Sequence, residues 1–285
     1  MMKYGITAAT GHFGQAAVAA LNELVGADQV VVIARNVAKA QQLFPVNEVR
    51  HGDYGEPASL APALAGLDRV LFISSQPAGG AVSREVQHQN LVAALAAARV
   101  DRVVYTSFPH ADQAQSWLAA DHQLTEQALR AAGVPAVMVR NNWYLENEAS
   151  FLQAVANGQP AAYWARQPLG WALEKEYAAG AAKVLTLADP KPVYEFAGPI
   201  TSYSELGAAA AQASGQSNSA TQVSQAQYIA GLEQAGLDHA TAALYASFQA
   251  PADQGDLKHA SDDLPTVLGH ALTPLPVAIQ AVLAE

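Results

Sequence analysis

The stretch that decides the fold is Thr7-Ala8-Ala9-Thr10-Gly11-His12-Phe13-Gly14. It follows a short apolar run at residues 3–7 and opens an Ala- and Leu-rich stretch of helical period at residues 14–24. Glycines at such a strand-to-helix turn let backbone amides approach a pyrophosphate. The free N–H groups and the dipole of the helix N-terminus favour an anion there. Two glycines alone fit a tight turn without a ligand equally well, so the flanking pattern has to decide.

Outward from this turn, short β-branched runs alternate with longer helical segments. Strands are predicted at residues 3–7, 30–34, 48–51, 69–74, 102–106 and 136–140, and helices at 14–24, 38–43, 57–64, 83–98 and 117–132. Breakers stand between them, as in Gly26-Ala27-Asp28, Gly66-Leu67-Asp68 and Gly133-Val134-Pro135. This is the pattern of a parallel sheet covered by helices. After Arg140 the regularity weakens. Residues 158–170 read as a loop or short strands, 174–187 as a helix, 193–197 as a strand and 214–219 as a turn, with four more helices in the remainder. The predicted division is a nucleotide-binding part at 1–150 and a dependent lobe at 151–285, with the strand near 193–197 rejoining the first sheet.

With 285 residues and 29.8 kDa, the chain has room for one large domain or two closely joined ones. A hydrophobic share of 51% against 14% charged residues supplies a core and excludes a mainly disordered chain. The formal charge of −10 argues against a coat for nucleic acid or an anionic membrane, so a bound phosphate must be held locally. The absence of cysteine removes disulfides, zinc–thiolate sites, Fe–S clusters and thiol nucleophiles, and a cytoplasmic location fits. Met1-Met2-Lys3 begins like a secretory signal. Gly11, His12, Gly14, Gln15, Asn22 and Glu23 interrupt the apolar run that would have to follow, and no run reaches membrane length.

In a parallel sheet, ligands bind at the carboxyl ends of the strands. Arg35, in Ile33-Ala34-Arg35-Asn36, ends the second strand roughly twenty residues after the glycines, where an acid would bind the ribose of NAD and an arginine suits the 2′-phosphate of NADP. Alone it reads as an exposed residue before an Asn36 helix cap; position and type together favour NADP(H). Asp53-Tyr54 is placed to bracket an adenine, or to form the turn Gly52-Asp53-Tyr54-Gly55. Ser74-Ser75-Gln76 is placed along the nicotinamide half, or is an ordinary polar loop.

Together with Arg50-His51-Gly52-Asp53-Tyr54, Leu71-Phe72-Ile73-Ser74-Ser75, Tyr105-Thr106-Ser107, Arg140-Asn141 with Trp143-Tyr144, and Ser261-Asp262-Asp263-Leu264, these motifs span essentially the whole chain. In them the sequence resembles the NmrA-like branch of atypical short-chain dehydrogenases, especially its NADPH-dependent quinone oxidoreductases and triphenylmethane reductases. The resemblance implies a Rossmann-like, doubly wound α/β sheet with a smaller, mostly helical C-terminal substrate lobe. It also implies an NADP(H) site lined by Ala8, Ala9, Thr10, Gly11, His12, Phe13, Arg35, Ser74, Ser75, Gln76, Asn141, Asn142, Trp143, Tyr144, Leu145 and Glu146. Two departures stand out. Ala8 replaces the family's usual glycine, at a cost of about 1–2 kcal/mol if the position has positive φ. Leu173-Glu174 stands where relatives carry Thr-Arg.

The Tyr-x-x-x-Lys pair that lowers a tyrosine pKa for alcohol oxidation is absent. Hydride reduction of a quinone demands less, because the electron-poor ring accepts the hydride and the resulting oxyanion needs only a donor or water. His122, four residues before Glu126 on a predicted helix, is the first candidate for a proton donor or orienting group, with helix packing as its plain alternative. Tyr144 and Trp143 are candidates to stack on or donate to a flat substrate, or else pack the core. Tyr105 is expected to pack within its strand. No metal-ligand spacing and no G-x-S-x-G elbow occur. The expected activity is NADPH-dependent hydride transfer to a quinone or similar flat electron-poor compound, without flavin or metal. The alternative is a non-catalytic NADP-binding redox sensor. The expected partner is a small molecule rather than nucleic acid or membrane, and a homodimer is compatible with the sequence.

Overall fold

The computed structural model describes residues 1–76 and 81–284. Its first half alternates β1 (Tyr4–Ile6), α1 (His12–Val25), β2 (Val30–Ala34), α2 (Val37–Leu43), β3 (Glu48–His51), α3 (Pro57–Leu64), β4 (Arg69–Phe72), α4 (Arg84–Ala98), β5 (Arg102–Ser107), α5 (Trp117–Ala131) and β6 (Ala136–Asn141). All lie within two residues of the predicted bounds at either end. The pattern was legible because parallel strands covered on both faces need no alternation: β2, Val-Val-Val-Ile-Ala, is buried at every position. At the sheet edge β3 is buried at none.

The second half comprises α6 (Ala149–Ala156), β7 (Ala161–Tyr163), β8 (Leu169–Gly170), α7 (Glu174–Thr186), β9 (Val193–Phe196), β10 (Ile200–Thr201), α8 (Tyr203–Ser214), β11 (Ala220–Gln222), α9 (Gln225–Gln234), α10 (His239–Ser247), α11 (Ala250–Gln254), α12 (Asp263–Leu268) and α13 (Leu275–Leu283). Six helices follow β9 where four were predicted. The additional ones are of the kind periodicity cannot detect, since α11 has 5 residues and α12 has 6.

Seven parallel strands form the sheet in the order β3-β2-β1-β4-β5-β6-β9. The order reverses between β1 and β4, which makes the carboxyl edge there the ligand-binding crevice of a doubly wound sheet. β9 pairs with β6 in the register Met138↔Val193 to Asn141↔Phe196, so the chain returns to the first sheet after α7. One sheet face is covered by α1, α7 and α12 through Ala17, Leu21, Ala181, Leu185 and Leu264, and the other by α3, α4 and α5 through Leu60, Leu64, Leu91, Leu95 and Leu129. A separate cluster around Leu152, Tyr163, Trp171, Tyr203 and Ile279 holds the second-half elements together. Arg69 and Arg102 cap the carboxyl end of α7, donating to the carbonyls of Leu185, Leu187 and Ala188. Among the described residues no helix is long and apolar enough to cross a membrane.

Candidate cofactor and substrate site

The β1–α1 turn opens the crevice. Thr7 is fixed to β4, its amide donating to the Leu71 carbonyl at 3.1 Å and its hydroxyl accepting from the Ile73 amide at 3.1 Å. Ala8 then takes φ +50°, the left-handed region that glycine tolerates without cost, and its carbonyl accepts from the Gly11 amide at 3.2 Å. Gly14 has to be glycine, because a Cβ there would lie 2.6 Å from the Ala8 carbonyl oxygen and 2.6 Å from the Ala9 Cα. At the N-terminus of α1, Gly11 offers no side-chain cap and the first turn holds no acid. The amides at that end are therefore left for an anion.

At the end of β2, Arg35 is exposed and its guanidinium has no hydrogen bond or ion pair among the described residues. Asn36 caps α2 by accepting from the Lys39 amide at 2.9 Å. At the end of β3, Asp53 accepts from the Gly55 amide at 2.8 Å and so forms the turn that was one of its two readings. Tyr54 differs from the expectation of an adenine bracket. It is buried, its ring packs edge-on against Phe72, and its hydroxyl lies against Thr7 Oγ1 and 2.8 Å from the Ile73 carbonyl. It braces the β1 and β4 ends from behind.

The β4 end is held by a buried polar network. The Ser74 amide donates to Thr106 Oγ1 at 2.9 Å and the Ser75 amide to His88 Nε2 at 3.0 Å; Gln76 is exposed. The Thr125 hydroxyl donates to the Asp121 carbonyl at 2.7 Å, so it accepts from His88 Nδ1–H at 2.8 Å, which fixes the His88 tautomer. Burial, with the Arg84 charge second, pushes the His88 pKa down to about 3. Arg84 Nη2 donates to His122 Nε2 at 3.0 Å, which leaves His122 Nδ1–H facing the Tyr105 hydroxyl at 2.9 Å. Burial, then the Arg84 and His88 charges, hold His122 well below the usual histidine range. Of the two roles foreseen for His122, this geometry supports an orienting group; a neutral imidazole with both nitrogens engaged is a poor proton donor.

At the β6 end, Asn141 Nδ2 donates to the Tyr144 hydroxyl at 3.1 Å, while the buried Asn141 Oδ1 has no donor among the described residues. Tyr144 stacks on Phe13 at 5.9 Å and leans on Tyr177 at 5.1 Å, which places it against the β1–α1 turn. Burial raises its phenol above the usual tyrosine range. Other residues of this segment are engaged by the chain itself. Asn142 donates to the Leu257 carbonyl and accepts from the Trp143 and Gly170 amides. The Trp143 indole donates to Glu148 at 3.0 Å, and Leu145 is fully buried. Glu146 accepts from the Glu174 amide at 2.9 Å, capping α7. For Asn142, Leu145 and Glu146 these contacts account for the side chains without a ligand. A mostly apolar cavity of ≈ 440 Å³ adjoins the segment, lined in part by Leu145, Trp171, Ala172, Thr201 and Thr273.

One site residue was missed by sequence reasoning. Arg84, the first residue of α4, is only 8% exposed, and its Nε and Nη1 have no hydrogen-bond partner among the described residues. Within a helix whose surface is largely polar, nothing in the sequence marks one arginine as buried. Among the described residues no group of three or more His, Asp or Glu could hold a metal ion.

A doubly wound parallel sheet with an open helix N-terminus at its switch point defines a dinucleotide-binding protein. The chain belongs to the NAD(P)H-binding family, whose model matches residues 8–166. Over 278 residues, 96% of each chain, it is 36% identical to quinone oxidoreductase 2 of Escherichia coli strain K12. Its structure is similar to that of the E. coli NADPH-dependent quinone oxidoreductase complexed with NADPH, at a TM-score of 0.91 and 34% identity over 98% of this chain and 99% of that one. It is likewise similar to Citrobacter sp. triphenylmethane reductase complexed with NADP(H), at a TM-score of 0.90 and 30% identity over 99% and 100% of the two chains.

Proposed function

We infer that the protein is an NADPH-dependent reductase of quinones and similar flat electron-poor compounds. The observation that carries this is the pairing of an uncapped α1 N-terminus with an unengaged Arg35 at the neighbouring strand end. The residues present fit a phosphorylated dinucleotide: Gly14 lets the turn close against Ala8, and the buried Asn141 Oδ1 lacks the N–H that a carboxamide would bring. In this reading His12 and Phe13 hold the pyrophosphate through their amides, with Ala8, Ala9, Thr10 and Gly11 shaping the turn. Arg35 binds the 2′-phosphate, Asp53 lies by the adenine side, and Ser74, Ser75 and Asn141 line the nicotinamide side. When bound, NADPH supplies the hydride. The chain's own part is to hold the two reactants face to face and exclude water, with Tyr144 and Trp143 offering flat apolar surface beside the cavity.

Residues 151–285 act as the substrate lobe, and residues 1–150 hold the nucleotide. The molecule works in the cytoplasm on a small substrate, without nucleic acid, and a homodimer is compatible with it. Incubation with NADPH and a panel of small benzoquinones and naphthoquinones tests the activity. Loss of NADPH absorbance well above the uncatalysed rate is expected, whereas a rate equal to the uncatalysed one for every quinone would refute it.

A further inference from the structure

The network behind Ser75 is complete at every member but one. Ser75 donates to His88, His88 donates to Thr125, Thr125 donates to a backbone carbonyl, and His122 donates to Tyr105. Arg84 stands at its head and is incomplete. Nη2 is used on a neutral acceptor, His122 Nε2, while Nε and Nη1 are buried without a hydrogen bond among the described residues. The nearest carboxylate, Asp121 Oδ2, lies 3.5 Å from Nη1 and belongs to a side chain that is 28% exposed. A guanidinium cannot shed its charge, and its buried donors are costly to leave unpaired.

Its surroundings locate these donors. Arg84 reaches from α4 to His122, whose other nitrogen meets Tyr105 on β5, and its neighbour His88 holds the Ser75 amide at the β4 end; its charge also acts on Tyr144 beyond β6. Asn141, the other side chain with an orphaned buried atom at this strand edge, donates to that same Tyr144. A desolvated guanidinium, ion-paired among the described residues only with the part-exposed Asp121 and with two donors lacking a hydrogen bond, thus lies beside the proposed nicotinamide wall.

We propose that Arg84 is an oxyanion-binding residue, whose free guanidinium N–H groups take the substrate oxygen that becomes negative during reduction. This rests on the proposed reductase function and names the group that completes it. In the balanced step, one hydrogen and two electrons leave the dihydronicotinamide as hydride and reduce the quinone. The hydride forms an O–H bond at one quinone oxygen, the C=O π bonds give way as the ring becomes aromatic, and the displaced electron pair comes to rest on the other oxygen, which faces Arg84. One proton from solvent then converts that phenolate to the hydroquinone, and the dinucleotide is left oxidised. The preferred substrate class is therefore one whose reduced form carries a phenolate-like oxygen. No histidine or tyrosine of the chain has to give up a proton, in keeping with neutral His122 and the high phenol pKa of Tyr144.

The test uses the whole protein and a probe that does not turn over. 4-Nitrophenol, whose phenolate is read by its absorbance, is titrated into wild type, Arg84→Met and Arg84→Lys without nucleotide, with thermal melting as the check on folding. The expected result is that wild type binds the phenolate in preference to the phenol and lowers the apparent pKa of the probe. Arg84→Lys should keep part of that shift and Arg84→Met should lose it. With NADPH and a benzoquinone, Arg84→Met should lose about 10²- to 10³-fold in kcat, the usual effect of removing one oxyanion donor. Failure of wild type to bind phenolate, or an unchanged shift in a folded Arg84→Met, would overturn the proposal. If Arg84→Met does not fold, the same judgement falls on Arg84→Lys against wild type. Intact phenolate binding without any quinone turnover would support the oxyanion site and count against the reductase reading.

Discussion

At Ala8 the β1–α1 turn takes a left-handed backbone without a glycine. At φ +50° an alanine is strained by about 1–2 kcal/mol, offset in part by the smaller entropy it loses on folding compared with glycine. Ala8→Gly is therefore expected to stabilise the protein by about 0.5–1 kcal/mol, read as a higher Tm. A lower Tm would show that the turn is not strained there. Glu148 makes a second prediction at this scale. Burial raises its carboxyl to about 7, partly offset by donation from the Tyr203 hydroxyl and the Trp143 indole. Its folded pKa exceeds the unfolded value of 4.5, so the folded state binds more protons between those limits and stability falls as pH rises through that window. Glu148→Gln removes the titration, and its Tm relative to wild type should rise between pH 5 and pH 8. An offset that is the same at both pH values would contradict the assignment. At this scale the sequence was only partly readable. Arg35 could be placed because its position relative to the glycines carries meaning. Arg84 could not, because its burial depends on how α4 and α5 pack, and neither Tyr54 nor Asn142 announces whether it faces a ligand or the chain.

Among the elements, β6, α5 and β9 are tied by Arg140. Its guanidinium forks onto Glu126 with two bonds of 2.9 Å and reaches Glu195 at 2.9 Å and Asp112, while Ser107 and Arg130 also donate to Glu126. Arg140 and Glu126 are both buried, at 5% and 2% exposure, so removing one leaves the other's charge to its more exposed partners alone, Arg130 for Glu126 and Glu195 and Asp112 for Arg140. Arg140→Met should cost about 3–5 kcal/mol in denaturant unfolding, and the Arg140→Met, Glu126→Gln double variant less than the sum of the two single changes. Strict additivity would show that the pair does not interact. Elements were the most legible level. Apolar runs such as β2 and the caps and breakers around α1 to α5 act locally, so they can be read without knowing the fold. The short helices α11 and α12 escaped, as did β10 and β11, the partners of the short strands β8 and β7 that fall within the stretch 158–170 read as a loop or short strands, because each pair forms only when distant residues meet.

For the whole molecule, the return of β9 beside β6 means that the second half cannot be detached without removing a strand from the main sheet. The sheet then presents the ends of β1, β2, β4, β5 and β6 along one edge, with the α1 N-terminus, Arg35, Ser74, Ser75, Asn141 and Tyr144 along it. Every chemical step proposed for this protein requires a 2′-phosphorylated dinucleotide seated there. The direct measurement is the dissociation constant of NADPH and of NADH for wild type and for Arg35→Ala. NADPH should bind wild type more tightly than NADH, and Arg35→Ala should weaken NADPH by about ten- to a hundredfold, the worth of hydrogen bonds to a charged group, while leaving NADH little changed. Failure of wild type to bind either nucleotide, or an equal loss of both in the variant, would contradict the account.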